Sequence, residues 1–304
     1  MYFSRVRIRT DILKSSQLGL VLQGNSYGSH RLLWDLFPDQ DQRTFLYREE
    51  IAREQLAASA TVRGEPIYYV VSLVKPVSND DSLFRLETKS YQPQLAVGQC
   101  LAFECRVNPV VERQGKKHDV VMDAQLQFLS HLVQTLNLQN QLVGKPEKSD
   151  YKTLLLYSGG EALNAHLTQI IANDLRYAER LSQIAGLADK LEWAIKAQVD
   201  KTLENWWQRQ GERCGFELVH EQNGLSKLQN SGYQWHCLPQ KTKQKGDKSG
   251  FSAVDLTGEL QITDPEQFRQ TLFNGLGRGK AFGCGLLMVK RGCGDLCYRL
   301  TAEN

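Results

Sequence analysis

The sequence predicts an α+β protein made of two similar units of antiparallel strands and single helices, with a helical insertion in the second unit. Two observations lead to this prediction. Strand patterns that alternate apolar and polar residues recur at both ends of the chain, each group with an amphipathic helix. Between them, from about residue 146 to 211, apolar residues recur every three to four positions and proline and glycine are scarce, which is typical of amphipathic helices.

The first unit is predicted for residues 1–95. In its opening strand, every second residue from Ser4 to Ile8 lies on the face predicted to be buried, and arginines form the other face. A helical pattern begins at Tyr27 and is closed by Pro38. Strands rich in β-branched and aromatic residues are predicted for residues 43–49, 67–74 and 83–91. This order fits a ferredoxin-like (RRM-like) unit, whose second helix is weakly marked here.

The second unit is predicted for residues 96–304. It opens with a strand interrupted by an Asn-Pro pair and returns near the C-terminus as a strand over residues 251–263. An Asp-Pro pair at residues 264–265 marks the start of a helix, because aspartate caps free N–H groups and proline fits the first helical turn. A strand over residues 285–290 closes the unit. This ending predicts a second ferredoxin-like unit, which contains the helical insertion.

A glycine-rich loop over residues 275–285 lies between that helix and the closing strand, in the motif NGLGRGKAFGCGLL. Glycine allows positive φ and a close approach of the backbone to a ligand. Arg278 and Lys280 between the glycines favour a ligand with phosphate groups. Nucleotide-binding fingerprints place the strand before the loop and the helix after it, the reverse of the order here, so a P-loop or Rossmann site is disfavoured.

The composition narrows the class of protein only modestly. The 304-residue chain carries a formal net charge of +3 and seven cysteines. No CxxC pair occurs, so a zinc site at Cys284, Cys293 and Cys297 is disfavoured and reduced thiols are expected. No run approaches the ~18 apolar residues that a membrane span needs, and no signal peptide is expected. We therefore expect a soluble cytoplasmic protein with no metal or other cofactor.

A basic polar segment, PQKTKQKGDKSG, separates two strand patterns and contains a Gly-Asp turn. We predict a basic hairpin over about residues 236–256 that contacts nucleic-acid phosphates. A solvated hairpin tip without a ligand is the alternative. The basic residues of the segment are Lys241, Lys243, Lys245 and Lys248.

Tyr27 and His30 are three residues apart at the start of the first predicted helix, so they share one face if the turn is helical. Histidine can accept and donate a proton near neutral pH. Such pairs are common, and alone the pattern is more often structural than catalytic. If the substrate is RNA, its 2′-hydroxyl supplies the nucleophile. One histidine, one tyrosine and nearby cations are then sufficient for cleavage without a metal.

Taken together, these motifs resemble those of the CasE-type CRISPR repeat endoribonucleases, the RNA-processing subunit of the type I-E Cascade complex. The stretches that carry the resemblance, in the order of the family, are MYFSRVRI, YGSHRLLWDLFP, YYVVSLVKPV, FECRVNPV, SGFSAVDLTGELQITDPEQF and GLGRGKAFGCGLLMV. They occur at both ends of the chain, and their joint occurrence is far more specific than any one of them.

The resemblance implies tandem ferredoxin-like domains and an enzyme that cleaves CRISPR precursor RNA at the base of the repeat stem-loop without a metal. It implies 2′,3′-cyclic phosphate and 5′-hydroxyl ends, a protein that stays bound to the crRNA with other Cascade subunits, and contact with DNA only through that complex. His30 is implied as the catalytic acid or base, assisted by Tyr27. The residues implied to bind RNA are Arg31, Lys241, Lys243, Lys245, Lys248, Gly277, Arg278, Gly279 and Lys280.

The helical insertion departs from the family pattern, which has a short connection there, and it could add a surface for a partner. Two other hypotheses stay open. One is a non-catalytic subunit that binds the crRNA stem-loop, and the other is a protein-interaction module built around the insertion. The Tyr27/His30 pair favours the enzyme over the non-catalytic subunit.

Overall fold

The computed structural model describes residues 1–9, 26–51, 66–78, 82–237 and 250–291. The strands within these residues are β1 (Tyr2–Ile8), β2 (Phe45–Ile51), β3 (Pro66–Ser72), β4 (Phe84–Ser90), β5 (Cys100–Val107), β6 (Val110–Arg113), β7 (Lys116–Asp119), β8 (Phe216–Leu218), β9 (Gln229–Cys237), β10 (Gly250–Ile262) and β11 (Leu287–Arg291). The helices are α1 (Ser26–Trp34), α2 (Val120–Thr135), α3 (Lys148–Ser158), α4 (Gly160–Ala172), α5 (Leu187–Cys214) and α6 (Pro265–Asn274). None of these helices is both long and apolar enough to cross a membrane.

The first sheet has the strand order β2-β3-β1-β4 with antiparallel neighbours. Burial alternates along β1 as predicted, with Ser4, Val6 and Ile8 buried. Apolar residues of α1 and of the turn after it, such as Leu33 and Leu36, pack in the core formed by this sheet. With the first and third strands at its centre, the sheet has the order of a ferredoxin-like unit.

The second sheet repeats this order. Its strands run β11-β5-β10-β8, and β9 also pairs with β10. The central strand β5 is antiparallel to both β10 and β11. Helices α2 to α5 all fall between the first and second strands of this sheet in the chain, and α6 falls before the last strand. The predicted fold class, tandem ferredoxin-like units with a helical insertion in the second, is therefore confirmed.

Two aspartates show how local sequence sets helix starts. Asp264 accepts hydrogen bonds from the backbone N–H groups of Glu266 (2.9 Å) and Gln267 (3.0 Å), so the predicted start of α6 is confirmed. Asp119 caps α2 in the same way. Helix α2 lies outside the range that we predict for the insertion, so the helical segment begins earlier than residue 146.

By its internal contacts, the chain divides into two compact units, and these differ from the two ferredoxin-like units described above. The first consists of Met1–Asn108, Gln210–Glu217 and Asn230–Asn304, and the second of Pro109–Arg209 and Leu218–Gln229. Both sheets belong essentially to the first unit, and most of the helical insertion belongs to the second. The domain boundary between residues 95 and 96 stays a prediction.

The second unit has its own apolar core. Leu163, Leu167 and Ile171, which recur at helical spacing along α4, are fully buried. Trp206 and Trp207 on α5 are also buried, as expected for core residues rather than for platforms that stack on nucleobases.

Within the first unit, Arg48 on β2 joins the two sheets. Its side chain is 8% exposed, and its Nη2 atom lies 3.7 Å from Oε2 of Glu104 and 3.9 Å from Oδ1 of Asp255. A buried arginine needs such partners, because an unpaired charge in the interior is costly. Beside this ion pair, an apolar cluster that includes Leu46 and Leu286 holds the segment after the glycine-rich loop against the first sheet.

Candidate active site

Helix α1 carries His30 and is fixed to the first sheet by a buried polar contact. The Ser29 hydroxyl donates a hydrogen bond to Oε2 of Glu49 on β2 (2.9 Å) and lies 3.3 Å from the Tyr68 hydroxyl on β3. Buried hydroxyl groups are nearly always hydrogen-bonded, so this contact restricts how α1 can rotate on the sheet. It thereby sets the direction in which the neighbouring His30 points.

His30 lies half-buried among aromatic rings. The centre of its imidazole is 5.7 Å from the ring centre of Phe45, 6.1 Å from that of Trp34 and 6.2 Å from that of Tyr47. This burial lowers the pKa of His30 below its ordinary value, and the positive charge of Arg43 lowers it further. The imidazole is therefore neutral near pH 7 and able to accept a proton.

The glycine-rich loop approaches α1 through a single 3₁₀ turn, Lys280–Phe282. The turn is flanked by Gly279 and Gly283, whose φ angles of 74° and 76° lie in the left-handed region that favours glycine. A Cβ atom on Gly283 would lie 3.2 Å from the ring of Tyr47, so a side chain would also crowd the site. The predicted need for positive φ in this loop is confirmed.

Tyr47 and Lys280 tie this turn in place. The Tyr47 hydroxyl donates a hydrogen bond to the carbonyl oxygen of Ala281 (3.2 Å), and Nζ of Lys280 donates to the carbonyl oxygen of Asn274 (2.6 Å). Burial raises the pKa of the Tyr47 phenol well above its ordinary value, so this group stays protonated. Tyr47 therefore supports the loop as a donor and does not act as a base.

Arg43, which the sequence did not single out, completes the group. It lies just before β2. Burial lowers the pKa of both His30 and Lys280, and the charge of Arg43 lowers each pKa further. Partial burial lowers the pKa of Arg43 itself, although the residue remains largely exposed and arginine stays protonated. Two cations that repel each other beside a neutral imidazole form an electrostatic environment suited to a phosphate group.

The strand motif Arg-x-Asn-Pro supports the loop from the second sheet. Arg106 makes a bidentate pair with Asp255, with both N···O distances 2.9 Å, and its carbonyl oxygen accepts a hydrogen bond from the N–H of Gly285. Nδ2 of Asn108 donates to the carbonyl oxygen of Ser252 (2.7 Å). These contacts assign the motif a structural role at the base of the glycine-rich loop.

Of the other predicted site residues, the structure describes some and not others. Arg31 is exposed on α1 next to His30, and Gly277 and Arg278 are exposed in the loop, where Arg278 forms a β-bridge with Asn108. Tyr27 lies in the first turn of α1, and its side chain is outside the described part of the molecule. The segment predicted to form the hairpin tip also lies outside the described residues, with its lysines Lys241, Lys243, Lys245 and Lys248.

The described residues contain no cluster of His, Cys, Asp and Glu that could hold a metal ion. Cys284 is a buried residue of the glycine-rich loop, and burial raises the pKa of its thiol to about 12. A buried thiol with such a pKa is a structural group rather than a reactive one. Cys293 and Cys297 lie outside the described residues.

A family model described as "CRISPR associated protein" matches residues 1–291. The chain belongs to this family. The chain is also 34% identical over 102 residues to the CRISPR-associated endoribonuclease Cse3 of Thermus thermophilus, a match that covers 32% of the chain and 45% of that relative's length. The resemblance to CasE-type proteins is therefore confirmed.

Solved structures agree on the fold of this CRISPR associated protein. A structure of the CRISPR endoribonuclease Cse3 bound to a 19 nt RNA matches with a TM-score of 0.57 at 20% identity, covering 95% of this chain and all of the other. Cse3 of Thermus thermophilus, bound to an RNA that represents a pre-cleavage complex, matches with a TM-score of 0.52 at 19% identity, covering 95% of this chain and 98% of the other.

Proposed function

We propose that this protein is an endoribonuclease that cleaves CRISPR precursor RNA at the base of the repeat stem-loop. The observation that carries the proposal is the meeting of His30, Arg43, Tyr47 and Lys280 where α1 contacts the glycine-rich loop. Family membership and the similarity to named CRISPR endoribonucleases, some bound to RNA, support the same conclusion.

In this proposal, the RNA supplies its own nucleophile. His30 takes the proton of the 2′-hydroxyl, the 2′-oxygen forms a bond to the scissile phosphorus, and the bond to the 5′-oxygen breaks. A proton delivered to that leaving oxygen completes the reaction. The products are a 2′,3′-cyclic phosphate and a 5′-hydroxyl. Neither the removal of the first proton nor the delivery of the second requires a metal. The lowered pKa of His30 favours this assignment as a base.

The two cations act on the phosphate. Negative charge builds up on the non-bridging oxygens as the phosphorane forms, and Arg43 and Lys280 offset that charge. Lys280 is held before the substrate arrives by its hydrogen bond to Asn274, which avoids the cost of reorganising it during the reaction. Tyr27 is proposed to assist His30, and Arg31, Gly277, Arg278 and Gly279 are proposed to contact the RNA backbone near the cleavage point.

The hairpin at about residues 236–256 is proposed to enter the groove of the RNA stem. Replacing all four of its lysines with alanine is expected to weaken stem-loop binding and to reduce the slope of log K against log salt by about 3–4, at ~0.7–0.9 for each phosphate that is no longer neutralised. Titrations of a labelled stem-loop at several salt concentrations measure this slope. An unchanged slope would show that these lysines do not contact phosphate.

We further propose that the protein stays on its product as a Cascade subunit in the cytoplasm. The alternative, a stem-loop-binding subunit without catalysis, shares the hairpin and the loop but gives His30 no chemical role. An assay with purified protein and a cognate repeat stem-loop in EDTA separates the two. A single cut at the 3′ base of the stem supports the enzyme, and binding without any cut supports the alternative.

A further inference from the structure

Three aromatic rings form a continuous stack from the root of the basic hairpin to the glycine-rich loop. The ring of His236, near the end of β9, stacks on Phe251 at the start of β10, with ring centres 4.7 Å apart and planes 15° apart. Phe251 stacks in turn on Phe282, with centres 4.6 Å apart and planes 29° apart. All three residues are half-buried. Near-parallel contacts of this kind add specific attraction to the apolar burial.

The two ends of the stack lie in segments for which different roles are proposed. His236 lies one residue before the end of β9, and the segment with the four lysines, predicted to form a hairpin tip, follows in the sequence. Phe282 is the last residue of the 3₁₀ turn whose first residue is Lys280. That turn contacts α1, the helix of His30. The stack thus joins the segment proposed to hold the RNA stem to the segment proposed to face the scissile phosphate.

The imidazole of His236 serves this stack as a flat ring rather than as a hydrogen-bonding group. Its Nε2 atom is buried and has no hydrogen-bond partner among the described residues. Burial and the nearby Arg106 charge lower the pKa of His236, which keeps the ring neutral. A buried nitrogen without a partner costs stability, so a purely apolar ring of similar shape should be tolerated at this position.

We propose that His236 and Phe251 are positioning residues that hold the 3₁₀ turn, and with it Lys280, in the geometry needed for cleavage. The inference rests on the proposed function and deepens it, because it adds two residues that orient a cation of the proposed cleavage site. None of the three aromatic residues needs to touch the reacting atoms.

The test compares His236→Ala with His236→Phe. The alanine variant is expected to lower the single-turnover cleavage rate at saturating protein by about tenfold, since small misplacements of catalytic groups have large effects on rate. The phenylalanine variant keeps the stack and is expected to stay within about twofold of the wild type, because one favourable ring contact replaces another. The Kd for a stem-loop with a 2′-deoxy cleavage nucleotide is expected to change little in either variant.

Each departure from this pattern overturns the inference. Equal rates for all three proteins would show that the stack positions nothing. A phenylalanine variant as slow as the alanine variant would assign the effect to the imidazole nitrogens. A loss confined to Kd would make His236 an RNA-binding residue.

A second measurement does not depend on cleavage. The N–H of Phe282 donates to the carbonyl oxygen of Gly279 at 2.8 Å, so hydrogen exchange of the peptide that contains it reports on the turn. Exchange is expected to be faster in His236→Ala and unchanged in His236→Phe, each compared with the folded wild type. If the wild type cuts no RNA, the proposed function fails, and this exchange pattern still decides whether the stack holds the turn. Identical exchange in all three would refute it.

Discussion

Replacing His30 with alanine is expected to reduce the single-turnover cleavage rate by about 10²–10⁴-fold, the range typical of a general acid or base. Stem-loop affinity is expected to stay close to that of the wild type. The physical reason is that His30 lies among Phe45, Trp34 and Tyr47 on a helix anchored by Ser29, so its loss removes a proton acceptor without moving the surrounding groups.

His131→Ala is the matched control. His131 is an exposed histidine on α2 in the other unit that makes a local hydrogen bond with Thr135, and its replacement is expected to leave both rate and affinity unchanged. A His30→Ala protein that folds and cuts at the wild-type rate would remove His30 from the mechanism. Loss of binding together with cleavage would instead make His30 an RNA-binding residue.

The pH dependence of cleavage by the wild type shows whether His30 acts as a base or as an acid. A base must be unprotonated to act, and the pKa of His30 is lowered below its ordinary value by burial and by Arg43. The value of kcat/KM is therefore expected to rise with pH, to inflect below ~6.5 and to be level above it, because kcat/KM reports the pKa of the free protein. A fall in kcat/KM across pH 5.5–7.5 would identify His30 as the acid.

The second large effect is expected from Arg43 and Lys280. Removing either charge by alanine replacement is expected to lower the cleavage rate by about 10²-fold, as for the loss of one donor that stabilises a developing negative charge. Binding of an uncleavable 2′-deoxy stem-loop is expected to weaken much less, because the charge that both groups offset builds up during the reaction. Single-turnover rates and Kd values for the two single variants and the double variant measure this difference.

Arg209→Ala and Lys201→Ala, exposed positions on α5, are the controls for loss of a positive charge. The double variant is expected to lose more than the product of the two single losses, because each single replacement also relieves the repulsion between the two charges. If the single variants cleave at the wild-type rate, Arg43 and Lys280 do not stabilise the negative charge of the transition state. That result would contradict the role assigned to them. Equal losses in rate and in affinity would restrict both groups to substrate binding.

Local sequence signals predicted most of the fold. The alternation along β1 and the Asp264 cap of α6 require only neighbouring residues, and both predictions are confirmed. Helix α2 was missed because no proline or glycine marks its start, and Asp119 caps it from within a short hairpin. The strand order of each sheet depends on contacts far apart in sequence and could be inferred only from the succession of elements.

The candidate site, too, could be predicted only in part, because its residues come together from distant parts of the sequence. His30 stood out through its spacing from Tyr27, and Lys280 through the glycines around it. Arg43 had no such signal, since an arginine before a strand is ordinary until the fold brings it beside His30 and Lys280. Tyr47 resembled a core residue of β2, and its hydrogen bond to Ala281 depends on a partner 234 positions away.

The most direct test of the account uses two forms of a cognate CRISPR repeat stem-loop RNA with purified protein in EDTA. One form is all-ribose, and the other carries a single 2′-deoxy sugar at the cleavage nucleotide. We expect one cut at the 3′ base of the stem in the first form, with a 2′,3′-cyclic phosphate end, and tight binding without any cut in the second. Cleavage of the 2′-deoxy form, or cleavage of the all-ribose form only after a divalent metal is added, would contradict attack by the 2′-hydroxyl as proposed here.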